Sequence, residues 1–169
     1  MSISLTTMAT TDIDAAGDVV VQIGEERVRI SSKVMSLASP VFQAMFTSGF
    51  KEGMTHQATA SNPISMPDDD PTAFIYLSRA IHFQGSELPE HVDIAFFEKL
   101  AGLYDKYQCA ASIASYVQAP LEKLTGSAST RNLDKILFLF LDMLTAKNDH
   151  DIWFRRLSRL CYKRTEIKY

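Results

Sequence analysis

Residues Ser31–Glu52 read SSKVMSLASPVFQAMFTSGFKE, and this stretch decides how the chain is built. Ser39-Pro40 is a helix start: serine accepts a hydrogen bond from a free N–H of the first turn, and proline fits there because it lacks one. Val41, Phe42, Met45 and Phe46 then recur at helical spacing and mark one apolar face. Gly49 suits the left-handed conformation that ends a helix. Just upstream, Ser31 is placed to cap a shorter helix carrying Val34, Met35 and Leu37. The stretch holds no reactive constellation. It describes a scaffold, and scaffolds act through their surfaces.

Toward the N-terminus the period changes from helical to two. Val19, Val21 and Ile23 alternate with Val20 and Gln22; after Gly24-Glu25, Val28 and Ile30 alternate with Arg27 and Arg29. Two such runs around a glycine turn predict a hairpin. Its core face carries Val19, Val21, Ile23, Val28 and Ile30, with the arginines on the other. Residues 1–16 are rich in Ser, Thr, Ala and Asp and read as a flexible lead-in. They lack the basic start and long apolar core of a secretory signal.

Toward the C-terminus, residues 51–63 read as a loop and Ile64-Ser65-Met66 as a minimal third strand. Asp70-Pro71 opens a helix through Phe74, Ile75, Leu77, Ser78 and Ile81 to about His82. Residues 85–91 are a turn. Phe97, Leu100, Ala101 and Tyr104 mark the next helix, and Ile113, Tyr116 and Val117 another. Leu124–Thr130, LTGSAST, has linker composition. Beyond it lie an apolar stripe (Leu133, Ile136, Leu137, Phe140, Leu141, Leu144) and a last helix with Trp153, Leu157, Leu160 and Cys161. Strands first and helices after predict an α+β fold: a small three-stranded sheet packed by a cluster of helices, with a C-terminal helical extension. The boundaries read as a lead-in over 1–16, a domain over 17–118, a linker over 119–130 and the extension over 131–169.

At 169 residues and 46% hydrophobic content the chain can bury one ordinary core. A net charge of −3 is too mild for a chain-wide nucleic-acid footprint. Cys109 and Cys161 are too few for a disulfide framework or a zinc site and read as reduced thiols. His56, His82, His91 and His150 share no metal-ligand spacing. Asp68-Asp69-Asp70 reads as helix capping rather than a cation site. A glycine-rich phosphate loop and a nucleophile elbow are both missing from the sequence. The chain therefore reads as no enzyme, with no catalytic, cofactor-binding or metal residues, no cofactor and no small-molecule substrate. Its longest apolar run, residues 136–141, is too short to cross a bilayer, so a cytoplasmic or nuclear protein is expected.

The ordered set of motifs resembles a BTB/POZ domain. The resemblance is carried by Gly17-Asp18-Val19-Val20-Val21, by Val28-Arg29-Ile30-Ser31-Ser32, and by Leu37-Ala38-Ser39-Pro40-Val41-Phe42 with Met45-Phe46. It continues through residues 64–74, ISMPDDDPTAF, and 100–107, LAGLYDKY. The Ser31-Ser32 helix start and the short tail look most like the BTB proteins of filamentous fungi. The resemblance implies action by contact: self-association, hetero-assembly, or service as a substrate adaptor for a cullin-based ubiquitin ligase. Phe50-Lys51-Glu52 matches the apolar–any–glutamate pattern of cullin-binding members, which makes Phe50 and Glu52 the candidate cullin contact. Val19, Met45 and Phe46 are candidates for self-association, with core packing as their other reading. Two departures stand out. Ser31 and Ser32 replace the family's histidine and basic residue, so Asp18 lacks the charged neighbour of a familiar dimer pocket. Ile81-His82-Phe83-Gln84-Gly85 replaces the tyrosine-threonine-glycine after the third helix. Over residues 151–169, six basic residues oppose two acidic ones. Arg155, Arg156 and Arg159 therefore form a candidate partner-facing tail. It suggests an alternative role, as the oligomerisation module of a transcription-linked or nucleic-acid-associated complex.

Overall fold

The computed structural model describes residues 9–47, 62–89 and 93–109, together with residues 116, 117, 120 and 123. Four strands form one sheet: β1 (Thr10–Asp12), β2 (Val19–Ile23), β3 (Glu26–Ile30) and β4 (Ile64–Ser65), in the order β1-β3-β2-β4. The predicted hairpin is β2–β3, antiparallel with Val21 opposite Val28, and Gly24 at φ +57° makes its turn. The short strand expected near Ile64 is β4, parallel to β2 with Ile64 opposite Val21.

One correction falls on the lead-in. From Thr10 it is not a free segment but an added strand, parallel to β3 with Thr11 opposite Val28. Polar side chains hid it, because an edge strand is held by backbone hydrogen bonds and needs little apolar content. Arg29 ties it further: its Nε lies 3.0 Å from Asp12 Oδ1. Gly17 closes the connection to β2 so tightly that a Cβ there would lie 2.5 Å from the Ile30 carbonyl oxygen.

Helices α1 (Ser32–Ala38) and α2 (Pro40–Thr47) come after the hairpin, with Ser31 and Ser39 capping them. Ser31 Oγ accepts from Val34 N at 3.4 Å and Ser39 Oγ from Phe42 N at 3.0 Å. Helix α3 (Pro71–Ile81) starts at Asp70, whose carboxylate accepts from Ala73 N at 3.0 Å. After a 3-10 turn at Gly85–Glu87, α4 (Ile94–Tyr107) is capped by Asp93 and ends on Gln108 in the left-handed conformation, φ 50°. Each start matches a residue whose side-chain oxygen satisfies an otherwise unpaired N–H.

The core lies between the hairpin face and these helices. Val19, Val21, Ile23, Val28 and Ile30 are buried against Met35, Phe42, Phe74, Leu77, Leu100 and Tyr107. Phe42 stacks on Tyr107 with ring centroids 4.2 Å apart, and Phe74 meets both rings edge-on. Full burial of such a ring contributes about 2–3 kcal/mol. Val20, on the opposite sheet face, is also fully buried. Among the described residues, no helix is long and apolar enough to cross a membrane.

Candidate interaction surface

Two carboxylates and one loop organise the polar structure of this body. Asp69, just before α3, is buried. Its Oδ1 accepts from Lys106 Nζ at 2.6 Å and its Oδ2 accepts the phenol proton of Tyr107, both on α4. Burial pushes the Tyr107 phenol well above its ordinary pKa, and the bond to Asp69 adds to the shift. Ser39 Oγ in turn donates to the Tyr107 carbonyl, so the α2 start, the α3 approach and the α4 end meet on one residue. Of the acidic triplet, Asp70 caps α3 and pairs with Lys99 at 2.7 Å, while Asp69 braces the core. The described residues contain no cluster of three or more metal-ligating groups. Cys109 is wholly buried, which pushes its thiol up to about 12, so the thiolate that nucleophilic chemistry needs is scarce.

Asp18, at the start of β2, faces outward. Its Oδ1 accepts from the Ser32 backbone N–H at 2.8 Å and its Oδ2 from the Ser32 hydroxyl at 2.6 Å. Partial burial raises its pKa, but the Ser32 bonds outweigh that and leave the carboxyl below its ordinary value. Ser32 supplies no charge, yet it occupies the carboxylate with two donors. Proximity in sequence does not reveal this contact, because it joins β2 to the first residue of α1.

The loop after α3 clasps the same corner. His82 Nδ1 donates to the Ser78 carbonyl at 2.8 Å, and His82 Nε2 accepts from the Ser31 N–H at 3.1 Å. A backbone donor on Nε2 requires the proton on Nδ1. Gln84 Nε2 donates to the Ile13 carbonyl at 2.6 Å, just past β1. Between these anchors Phe83 sits at φ 62° with 82% of its surface in water. Leu37 on α1 is exposed to the same degree. Large apolar side chains left in water mark contact surfaces when they belong to a patch.

The sequence-predicted site residues fall in three places. Val19 is buried in the core, and Met45 and Phe46 are half-buried against it. Phe50 and Glu52 come soon after α2 in sequence but lie outside the described residues, as do Arg155, Arg156, Arg159 and Gly49. Leu37 and Phe83 are exposed residues that the sequence did not single out as contacts. Leu37 lies beside core residues on a short amphipathic helix, and Phe83 stood out only as a departure from the family pattern.

A family model for the BTB/POZ domain matches residues 12–118. The chain belongs to the BTB/POZ family. The match begins within β1 and runs past α4 to the residue after Val117. BTB/POZ domains are protein–protein interaction modules, and membership implies protein partners. No curated protein matches the chain.

Proposed function

We propose that this BTB/POZ chain is a non-catalytic module that associates with a second copy of itself and serves as a substrate adaptor for a cullin-based ubiquitin ligase. The observation that carries self-association is the α1–α2 pair. It leaves Leu37 in water and Met45 and Phe46 only half covered, on helices otherwise packed into the core. An exposed aliphatic side chain gives affinity when a partner excludes water from it. Asp18 does not provide the charged pairing of many dimeric relatives, since Ser32 already occupies it. The contact is therefore chiefly apolar. Support for the adaptor role is the Phe50-Lys51-Glu52 pattern soon after α2 in the sequence.

Light scattering across concentration tests the first part. The native chain is expected to reach the mass of a dimer and Leu37→Glu to stay a monomer. A native chain that is monomeric throughout overturns self-association. For the adaptor role, a purified cullin should be retained by the native chain and lost with Phe50→Ala or Glu52→Ala. Equal retention by both variants removes that site.

A further inference from the structure

His82 stands at a joint. It ends α3, and its ring reaches the start of α1, 51 positions earlier in the chain. Only the neutral ring holds both of its bonds, Nδ1 donating to the Ser78 carbonyl and Nε2 accepting from the Ser31 N–H. Protonation puts a second N–H on the ring, at Nε2, and a donor cannot bond a donor. The Nδ1 bond survives, because a carbonyl at a helix end accepts from either form. One proton therefore breaks one half of the clasp and spares the other. The ring is half-buried, so water reaches it. Histidine is the side chain that gains its proton between about pH 8 and 5.

The bond at stake belongs to a short helix. With seven residues, α1 depends on partners outside itself for its first N–H groups. His82 holds Ser31 and Asp18 holds Ser32, on consecutive N–H groups, while Ser31 Oγ holds Val34. The start of α2 is different. Ser39 Oγ accepts from Phe42 N and donates to the Tyr107 carbonyl, with no titrating partner for the Phe42 N–H.

The charged groups of the surrounding elements are engaged or solvent-facing. On α3 and the turn after it, Arg79 pairs with Glu87 at 3.3 Å. Arg29 of β3 pairs with Asp12, and Asp14 accepts from Ala16 N. Lys33 of α1 and Glu98 and Asp105 of α4 are exposed, and Lys99 and Lys106 are drawn to Asp70 and Asp69 before the opposite end of α3. Asp18 and the helix end favour a charged ring, Arg79 and Lys33 a neutral one. Together they govern the pH at which the ring takes its proton, not which bond that proton breaks.

We infer that His82 is a proton-operated latch: neutral, it fastens the end of α3 to the start of α1; protonated, between about pH 8 and 5, it releases Ser31 and loosens the helix that carries Leu37. The latch works within one chain and rests on neither self-association nor the adaptor role.

Amide exchange and ring titration, both followed by NMR on the full-length chain, test it. With intrinsic exchange rates divided out, protection of the Ser31 amide should fall roughly tenfold or more from pH 8 to pH 5, with the same midpoint as the His82 ring. The Phe42 amide, held by an uncharged hydroxyl, should keep its protection. In His82→Gln the Ser31 step should vanish, although His56, His91 and His150 still titrate. Ser31 protection that stays level while the ring titrates overturns the inference, as does a ring still neutral at pH 5. So does an equal fall at Phe42, which signals general acid unfolding, or a Ser31 step that persists in His82→Gln. If that variant does not fold, Ser31 against Phe42 in the native chain decides alone.

Discussion

Asp69 and Asp18 are the same residue in opposite surroundings. Asp69 has a side chain 1% exposed, held between Lys106 and Tyr107. Asp18 lies in solvent and takes both its hydrogen bonds from Ser32. The inner carboxylate is a strut: without it a buried phenol loses its acceptor and Lys106 its counter-charge. The outer one orients the start of α1 and carries its charge at the surface. A carboxylate in this fold is therefore enclosed or solvent-facing according to which elements close over it, not according to its place in an acidic run.

The sharpest way to break this contrast is Asp69→Ala. It should destabilise the fold by about 2–3 kcal/mol in chemical denaturation, because the buried Tyr107 hydroxyl is left without its acceptor. A loss as small as that of a surface change would put Asp69 and Asp18 in one class. Next is Lys106→Gln. Its side chain is 46% exposed, so water partly replaces the lost contact, and a loss of about 1–2 kcal/mol is expected. Tyr107→Phe removes only the hydroxyl and should lose about 1 kcal/mol. It also carries a pH signature. The folded phenol lies above its ordinary value of 10.0, so its contribution is complete below that pH and is lost as pH rises further. Alkaline destabilisation should therefore be shallower in Tyr107→Phe, with Tyr76, pushed up to about 12 by burial, accounting for part of what remains. The smallest effect belongs to Asp18→Asn, a few tenths of a kcal/mol near neutral pH, as for exposed polar contacts. Because the folded Asp18 carboxyl lies below 3.8, its contribution is present above that pH and fades as acid is added. Thermal melts of Asp18→Asn should approach those of the native chain only as the pH falls below 3.8.

The parts legible in the sequence are those governed by local rules. The hairpin shows in the Val19–Ile30 alternation, the helix starts in Ser31, Ser39 and Asp70, and the family in their order. Each depends on a residue and its near neighbours. The hidden parts depend on residues far apart. Strand β1 has no apolar pattern and exists because β3 offers it an open edge. Ser32 meets Asp18 across 14 positions, and Gln84 meets Ile13 across 71. Asp69 cannot be told from Asp68 or Asp70 in sequence, because only the arrival of α4 decides which carboxylate is enclosed. Phe83 reads as one more apolar residue near a helix end. Its exposure comes from the conformation that its two neighbours impose.

The bond from Ser39 to the Tyr107 carbonyl joins positions 68 apart. A chain emerging from the ribosome presents the hairpin, α1 and α2 long before the last turn of α4 exists. Until that turn appears, Phe42 lacks the ring it stacks on and Ser39 lacks its acceptor. Assembly of the first half is thus conditional on synthesis of the second, and a ribosome stalled before Tyr107 would hold a sticky, half-closed nascent chain that invites chaperone binding.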